Sequence, residues 1–251
     1  YDDASRKVVC TLEQDDIMDG LNWLHKWYQD GIINPDANVV TDGGKGSIFG
    51  SAQGWPAAAT TWAFNQGIEK YDLTQVFGPL YTTETIQGSM NAISANSKYK
   101  TEALKVLQLM NTDPKFRDMC AYGTEGNYME YAEDGTVQKL RDDWNWPSYT
   151  QGTFFILSTQ ADGDPDAWNQ VKEQNESATS STCLGFALDV TNIQNEIANC
   201  NTVWDKYKND LLTGASDPAT AVPACIEELK AAGLDTVIEE AQKQVDEFFA
   251  N

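Results

Sequence analysis

The chain has 251 residues, 41% of them apolar, which is enough to bury the core of one large domain or two smaller ones. It carries 38 acidic and 17 basic side chains, a formal net charge of -21, and this charge repels nucleic acid and anionic lipid. We therefore expect neither as a direct partner. The start YDDASRKVV has no Met and no apolar h-region, so we expect a removed leader or a fragment.

The predicted elements begin with an amphipathic helix over residues 13–32, in which Ile17, Leu21, Leu24 and Tyr28 share one face. The later elements predicted in the same way are a strand at 47–52, a helix from Pro56, two short strands within 75–94, a helix over 97–110, a short helix capped by Asp113 and Pro114, a hairpin over 128–140, strands at 153–158 and 184–190, and helices from 164, 192 and 235. Strands separated by helices of this length predict an α/β fold.

Few residues in the sequence point to catalysis or to a cofactor. The single histidine, His25, lies inside the first helix, where we expect a partly exposed structural position. The five cysteines lack metal-ligand spacing and are expected to be small core residues, with a Cys183–Cys200 disulfide left open. The aspartates at 162, 164 and 166 have calcium-loop spacing, but Ala167 replaces the turn glycine, so helix capping is the favoured interpretation. We expect no cofactor and no metal.

The tryptophans carry more information. In GSAQGWPAAATTWAFNQG, residues 50–67, Trp55 and Trp62 are two helical turns apart, on a face that is either core or a stacking surface for a ligand. Trp144 and Trp146 lie in a segment rich in loop residues, whereas Trp23, Trp27, Trp168 and Trp204 lie on predicted helices and are expected to be packing residues. Sugar rings stack on indole, and polar side chains such as Gln53, Asn91, Asp143 and Asn145 are suitable partners for their hydroxyls.

Three segments resemble family 1 extracellular solute-binding proteins of the maltodextrin-binding type. GKGSIFGSAQGWP is similar to a strand and turn after which a Trp stacks on sugar, and residues 88–126 are similar to a later strand, turn and helix pair. The tail from residue 184 resembles the C-terminal domain of uncharacterised function found on lipoprotein members from Gram-positive bacteria. The resemblance implies a type II periplasmic-binding-protein fold with two α/β lobes, of which this chain matches only the C-terminal portion.

The resemblance also implies a division of the chain and a set of ligand contacts. Residues 1–86 would belong to the second lobe, 87–127 would cross into the first, and 128–251 would return to the second and include a helical C-terminal domain. Trp55 is the expected ligand contact, with Gln53 and Gly54 shaping the turn beneath it. Trp144 and Trp146 are expected near the cleft, and Trp62 is expected to anchor its helix in the core.

The function implied is that of a non-enzymatic binding component of an ABC importer. It would capture a carbohydrate, most simply an oligosaccharide, and dock on a membrane permease, at the surface of a Gram-positive cell and with a lipid anchor on the part that the chain lacks. Three alternatives stay open. They are a peptide or other nutrient as ligand, a sugar-active hydrolase with two carboxylates, and a surface interaction module without a small ligand.

Overall fold

The computed structural model describes residues 3–41, 50–56, 58–59, 62, 72–141, 143–144 and 146–250. After a short 3-10 turn at Thr11–Glu13, the labelled helices are α1 (Asp15–Gln29), α2 (Thr83–Ile86), α3 (Lys100–Thr112), α4 (Pro114–Tyr122), α5 (Ala167–Glu176), α6 (Gln194–Leu212), α7 (Pro218–Ala231) and α8 (Leu234–Ala250). The strands are β1 (Leu80–Tyr81), β2 (Met129–Tyr131), β3 (Val137–Lys139) and β4 (Thr179–Ser180). The chain divides into two compact units, unit 1 (residues 1–50 and 185–251) and unit 2 (residues 51–184).

Unit 1 is helical and is built on a single apolar cluster. The helices α1, α6, α7 and α8 all contribute, and the buried members are Cys10, Leu12, Leu21, Leu211, Val222, Cys225 and Leu229. The predicted stripe of the first helix is confirmed, because Leu21 is buried and both Ile17 and Leu24 pack against the cluster. All five cysteines are free thiols, two of them within this core, so the open Cys183–Cys200 disulfide is not present.

A glycine allows α1 to approach the end of α6. Gly214 follows α6 with a φ of 77°, and a Cβ there would overlap the carbonyl of Leu24 and lie 2.8 Å from the amide nitrogen of His25. His25 is partly buried, and its Nδ1 donates to the Gly214 carbonyl oxygen over 2.7 Å. This histidine therefore has the structural position that the sequence predicted.

Unit 2 contains short strands around a smaller core. The strands β2 and β3 form the predicted antiparallel hairpin, and β1 pairs with β4 in parallel, far apart in sequence. The apolar cluster comprises Ala121, Tyr122, Met129, Val137 and Leu157, with Phe154 and Trp168 packed against it. Asp113 caps α4 as predicted, since its carboxylate accepts from the amide of Phe116 over 3.0 Å.

Several strand predictions are wrong. Residues 153–158 and 184–190 form no strand, although both carry apolar runs, and the segment 75–94, where two strands were predicted, contains β1 alone. In the run at 153–158, Leu157 instead closes a turn onto the Phe154 carbonyl while its side chain enters the core, and the Phe154 ring stacks on Trp168 at 4.8 Å. Apolar side chains in a loop pack as well as those in a strand, so composition alone did not distinguish the two. The predicted strand at 47–52 lies partly outside the described residues, and residues 50–52 are not strand.

The packing role predicted for Trp23 and Trp27 is also wrong. Both lie on α1, but Trp23 is 57% exposed and Trp27 is 42% exposed. Helix membership alone did not predict burial, because the two indoles lie on the side of α1 away from Leu21. Trp168 and Trp204, by contrast, pack against the two apolar clusters as expected.

Candidate functional site

The segment around Trp55 forms a small aromatic cluster. Residues 50–55 have no regular secondary structure, and the Ala58 amide donates to the Trp55 carbonyl over 2.9 Å as the chain turns into helical residues. The Trp55 ring meets Trp62 edge-on, with centroids 6.0 Å apart and an interplanar angle of 77°. A Cβ on Gly54 would contact the Trp62 ring at 3.4 Å, so Gly54 lies directly against that ring.

Trp55 is partly buried and keeps part of its surface accessible. Its Nε1 is buried and has no hydrogen-bond partner among the described residues. In this conformation the indole can therefore offer a ligand its apolar ring surface and not its N–H group. Stacking on the C–H face of a sugar needs only the ring surface.

The two tryptophans of the later segment differ from each other. Trp144 donates from Nε1 to the Cys120 carbonyl over 3.0 Å and packs on Tyr128 with centroids 5.3 Å apart. It therefore ties its loop to α4. Trp146 is like Trp55, partly buried with an Nε1 that has no partner among the described residues, and the nearby Tyr149 is 67% exposed.

The polar candidates are placed differently from one another. Gln53 and Asn91 are exposed. The Asp143 carboxylate is bonded to Arg141, whose Nε donates to Oδ1 over 2.8 Å, and this hydrogen bond holds the pKa of Asp143 below its usual value. Asn145 lies outside the described residues.

Buried charges on α4, which the sequence analysis missed, hold the loop that carries Trp146. The Arg117 side chain is fully buried, with Nε donating to the Thr153 carbonyl over 3.0 Å and an Nη donating to the Ser148 carbonyl over 2.9 Å. A Cβ on Gly152, which has a φ of 76°, would come within 2.9 Å of Arg117 Nε. The guanidinium thus shapes the whole 148–153 turn. Burial lowers the pKa of Arg117.

Asp118 fixes the next part of the same loop. It is 1% exposed, and its carboxylate accepts from the Ser158 amide at 2.9 Å, the Ser158 hydroxyl at 2.7 Å and the Tyr131 hydroxyl at 2.9 Å. Burial, followed by the hydrogen bond to Asp118, raises the pKa of Tyr131. The adjacent charges in PKFRDMCAY look like an exposed helix face in sequence, and only the segment packed over them explains their burial.

The described residues offer no metal centre, because no group of three or more His, Cys, Asp or Glu side chains among them could hold an ion. The alternating aspartates are engaged locally. Asp164 accepts from the Asp166 amide over 2.8 Å, and Asp166 accepts from Asn169 over 2.6 Å at the start of α5. Within the part of the chain that the structure describes, no helix has the length and apolar character needed to cross a bilayer.

Both the sequence and the structure of this chain match known proteins. Residues 182–250 match a domain of unknown function, DUF3502. A carbohydrate ABC transporter substrate-binding protein of Streptococcus pneumoniae serotype 4 is 28% identical over 98% of this chain and 52% of its own length. The chain thus spans about half the length of this relative.

The solved structures agree with this match. The N-glycan transport solute binding protein NgtS of Streptococcus pneumoniae superposes with a TM-score of 0.84 and 25% identity over 100% of this chain and 58% of its own. NgtS in complex with Man1GlcNAc superposes at 0.79 with 26% identity over 98% of this chain and 57% of its own.

These superpositions confirm the predicted fold class, since the chain is a partial piece of the type II periplasmic-binding-protein fold. The match at residues 182–250 corresponds to the predicted C-terminal domain. The sequence and structural relationships together fit the C-terminal portion of a family 1 extracellular solute-binding protein.

Proposed function

We propose that the chain is part of the substrate-binding component of an ABC importer that captures a carbohydrate and delivers it to a membrane permease. The observation that carries the proposal is Trp55, a residue that is partly accessible while its N–H is buried, in a segment that resembles the sugar-stacking turn of the family. NgtS was solved with Man1GlcNAc and Man5GlcNAc, so mannose- and GlcNAc-containing oligosaccharides are the first ligands to test on this chain.

Trp55 would stack on a sugar ring, with Gln53 hydrogen-bonding to its hydroxyls and Gly54 allowing the close approach of Trp62. Trp146 would supply a second apolar surface, held by the turn that Arg117 anchors. Trp144 and Trp62 would support these surfaces through their ring contacts and not touch the ligand themselves. Binding without turnover needs no nucleophile and no metal, and we propose that the protein is not an enzyme.

The proposal includes the lobe assignment of residues 1–86, 87–127 and 128–251, and a location outside the cell with a lipid anchor. The hydrogen bonds that Arg117 donates to residues 148–153, and the one that Asp118 accepts from Ser158, would then join the crossing segment to the start of the returning segment. Affinity would depend on two lobes closing on the sugar, which is how a two-state receptor couples binding to docking.

The test is titration of Man5GlcNAc into the longest expressed form of the protein by isothermal calorimetry. Trp55→Ala is expected to weaken binding by about 10-fold or more, because it removes the stacking surface, and Trp55→Phe to weaken it less. Trp23→Ala is the matched control, since it removes an exposed indole from the other unit, and we expect its affinity to be unchanged.

Unchanged affinity in Trp55→Ala would remove Trp55 from the site. Release of smaller sugars during the titration would instead support the hydrolase. Thermal stabilisation by peptides but by none of the sugars would reassign the ligand.

A further inference from the structure

Two exposed tryptophans on α1 have no role in the proposed sugar site. Trp23 and Trp27 lie one turn apart in unit 1, their ring centroids are 6.3 Å apart with an interplanar angle of 44°, and they are 57% and 42% exposed. Solvent-exposed indoles are costly because each leaves a large apolar surface in water. Two in contact form a continuous apolar patch.

The backbone around the pair leaves the patch open and extends it. Gly20 lies one helical turn before Trp23 on α1. A Cβ on Gly20 would meet nothing within 4 Å. At the other end, Gly31 at a φ of 73° closes α1 in a Schellman motif, in which the Ile32 amide donates to the Trp27 carbonyl over 2.9 Å. This bond places the backbone of Ile32, whose side chain is 67% exposed, next to the backbone of Trp27.

The patch is surrounded by negative charge. Residues 15–36 contain five aspartates and one lysine. The lysine, Lys26, is already paired with Asp30. Asp16 and Asp19 are exposed. They lie two turns and one turn before Trp23, so all three residues are on the same side of α1. The face therefore combines apolar aromatic area with uncompensated carboxylates.

Charge also decides which occupant fits. A second copy of the chain would bring another acidic face to this one, and the net charge of -21 opposes that contact. An anionic lipid surface is repelled in the same way. Lysine and arginine side chains are attracted both to carboxylates and to the faces of indole rings, and arginine in particular stacks on tryptophan.

We propose that the α1 face formed by Trp23, Trp27, Ile32, Asp16 and Asp19 is a docking surface for a protein partner that presents arginine or lysine side chains among apolar residues. The guanidinium or ammonium groups lie over the indoles and pair with the two aspartates, and the apolar residues cover Ile32. This surface belongs to unit 1, whereas Trp55 belongs to unit 2, and the proposal does not depend on sugar binding.

The experiment measures the fluorescence anisotropy of a labelled Gly/Ser-rich peptide that carries arginines and leucines, titrated with the whole chain. The control peptide replaces each arginine by citrulline, which keeps the shape and removes the charge. We expect binding of the arginine peptide to weaken about 10-fold in the double variant Trp23→Ala/Trp27→Ala, because the cation–π and apolar contacts are both lost. Loss of about 3-fold is expected in Asp16→Asn/Asp19→Asn.

The matched control is Glu227→Gln/Glu239→Gln, which makes the same change in net charge at exposed positions on α7 and α8. Its affinity should stay within about 2-fold of the wild type, because the proposed pairing is with Asp16 and Asp19. Non-specific attraction depends on total charge and would weaken binding equally in both charge variants. Circular dichroism checks that each variant folds. If Trp23→Ala/Trp27→Ala does not fold, the test rests on Asp16→Asn/Asp19→Asn and its charge control.

Equal weakening in the two charge variants would overturn the proposal in favour of non-specific attraction. Equal binding of the citrulline peptide would also overturn it. Displacement of the arginine peptide by Man5GlcNAc would make the face a sugar site. Dimerisation seen by sedimentation in the wild type but not in Trp23→Ala/Trp27→Ala would assign the face to a second copy.

Discussion

Unit 1 and unit 2 reach stability in different ways. Unit 1 packs long amphipathic helices on one apolar cluster, and the charged groups that it pairs, such as Lys206 with Glu228, lie at its surface. Unit 2 has short strands and a smaller apolar cluster, and it buries Arg117 and Asp118 completely or nearly so. Its loops are held by these two side chains, since Arg117 donates to backbone carbonyls and Asp118 accepts from a backbone amide.

The difference indicates that unit 1 acts as a helical scaffold and that the loops of unit 2 can present a ligand site. Helix packing is non-directional and tolerates surface change, whereas a loop fixed by a buried charge has one defined geometry. The proposed sugar contacts all lie in unit 2, where loop geometry is set in this way. The comparison can therefore be tested with variants that alter a helix contact in unit 1 and variants that alter a buried charge in unit 2.

The largest effect is expected from Gly214→Ala in unit 1. The new Cβ would overlap the Leu24 carbonyl at a φ of 77°, so we expect the free energy of unfolding of unit 1 to fall by about 3 kcal/mol. Hydrogen exchange followed by mass spectrometry should show faster exchange in α1 and α6.

Gly20→Ala is the control for that variant. Its Cβ meets nothing within 4 Å in the interior of α1, so unit 1 should become more stable by about 0.5–1 kcal/mol. Equal acceleration of exchange in α4 of unit 2 by Gly214→Ala would show that the two units unfold together and would break the comparison.

A somewhat smaller effect is expected from Asp118→Ala in unit 2. It leaves the amide and hydroxyl of Ser158 and the hydroxyl of Tyr131 without their acceptor, at a cost of about 2–3 kcal/mol measured by urea unfolding. Asp118→Asn keeps one acceptor oxygen and should cost less. If both variants unfold like the wild type, the loop is not held by this carboxylate.

The smallest effect is a dependence of stability on alkaline pH. The pKa of Tyr131 is raised above its ordinary value of 10.0, first by burial and then by the bond to Asp118. The contribution of the neutral Tyr131 hydroxyl to the free energy of unfolding is fully present below the ordinary pKa. It is lost as pH rises through the raised pKa. Unit 2 should therefore lose stability above pH 10, as measured by urea unfolding across that range.

Tyr131→Phe tests this assignment. It removes the ionisable hydroxyl, costs about 1 kcal/mol at neutral pH and should reduce the alkaline loss. Part of the loss should remain, because burial also raises the pKa of Tyr122 in the same unit. Tyr207 in unit 1 has a pKa raised by its bond to Glu228, but at the surface, where solvent weakens such effects. If Tyr131→Phe loses stability with rising pH as steeply as the wild type does, Tyr131 is not a source of the alkaline loss.

The sequence predicted some elements of each unit correctly. The first helix and the helix from residue 192 were predicted from apolar spacing, and both were found as α1 and α6. The hairpin followed from Asp134–Gly135, and Gly135 indeed has a φ of 83°. The runs at 153–158 and 184–190 failed as strands, because apolar composition does not distinguish a strand from a loop that closes on itself through local turns, such as the bond from the Leu157 amide to the Phe154 carbonyl.

The candidate site residues were chosen by type and position in the sequence, and their role as ligand contacts stays a prediction. The hydrogen bond from Trp144 to the Cys120 carbonyl could not be read from spacing. Arg117 and Asp118 were not singled out, and neither was the exposed pair on α1. Burial depends on which segment lies over a helix face, and that segment can come from anywhere in the chain.

The sequence by itself determined the acidic surface, the amphipathic helices, the capped helix start at Asp113 and the family resemblance, because charge, periodicity and local capping depend on residues near one another. Tertiary structure alone decided that Trp23 and Trp27 face solvent, that β1 pairs with β4, and that two adjacent charges on α4 are buried under a distant loop. These features are set by contacts between residues far apart in the chain, where no local pattern records the partner.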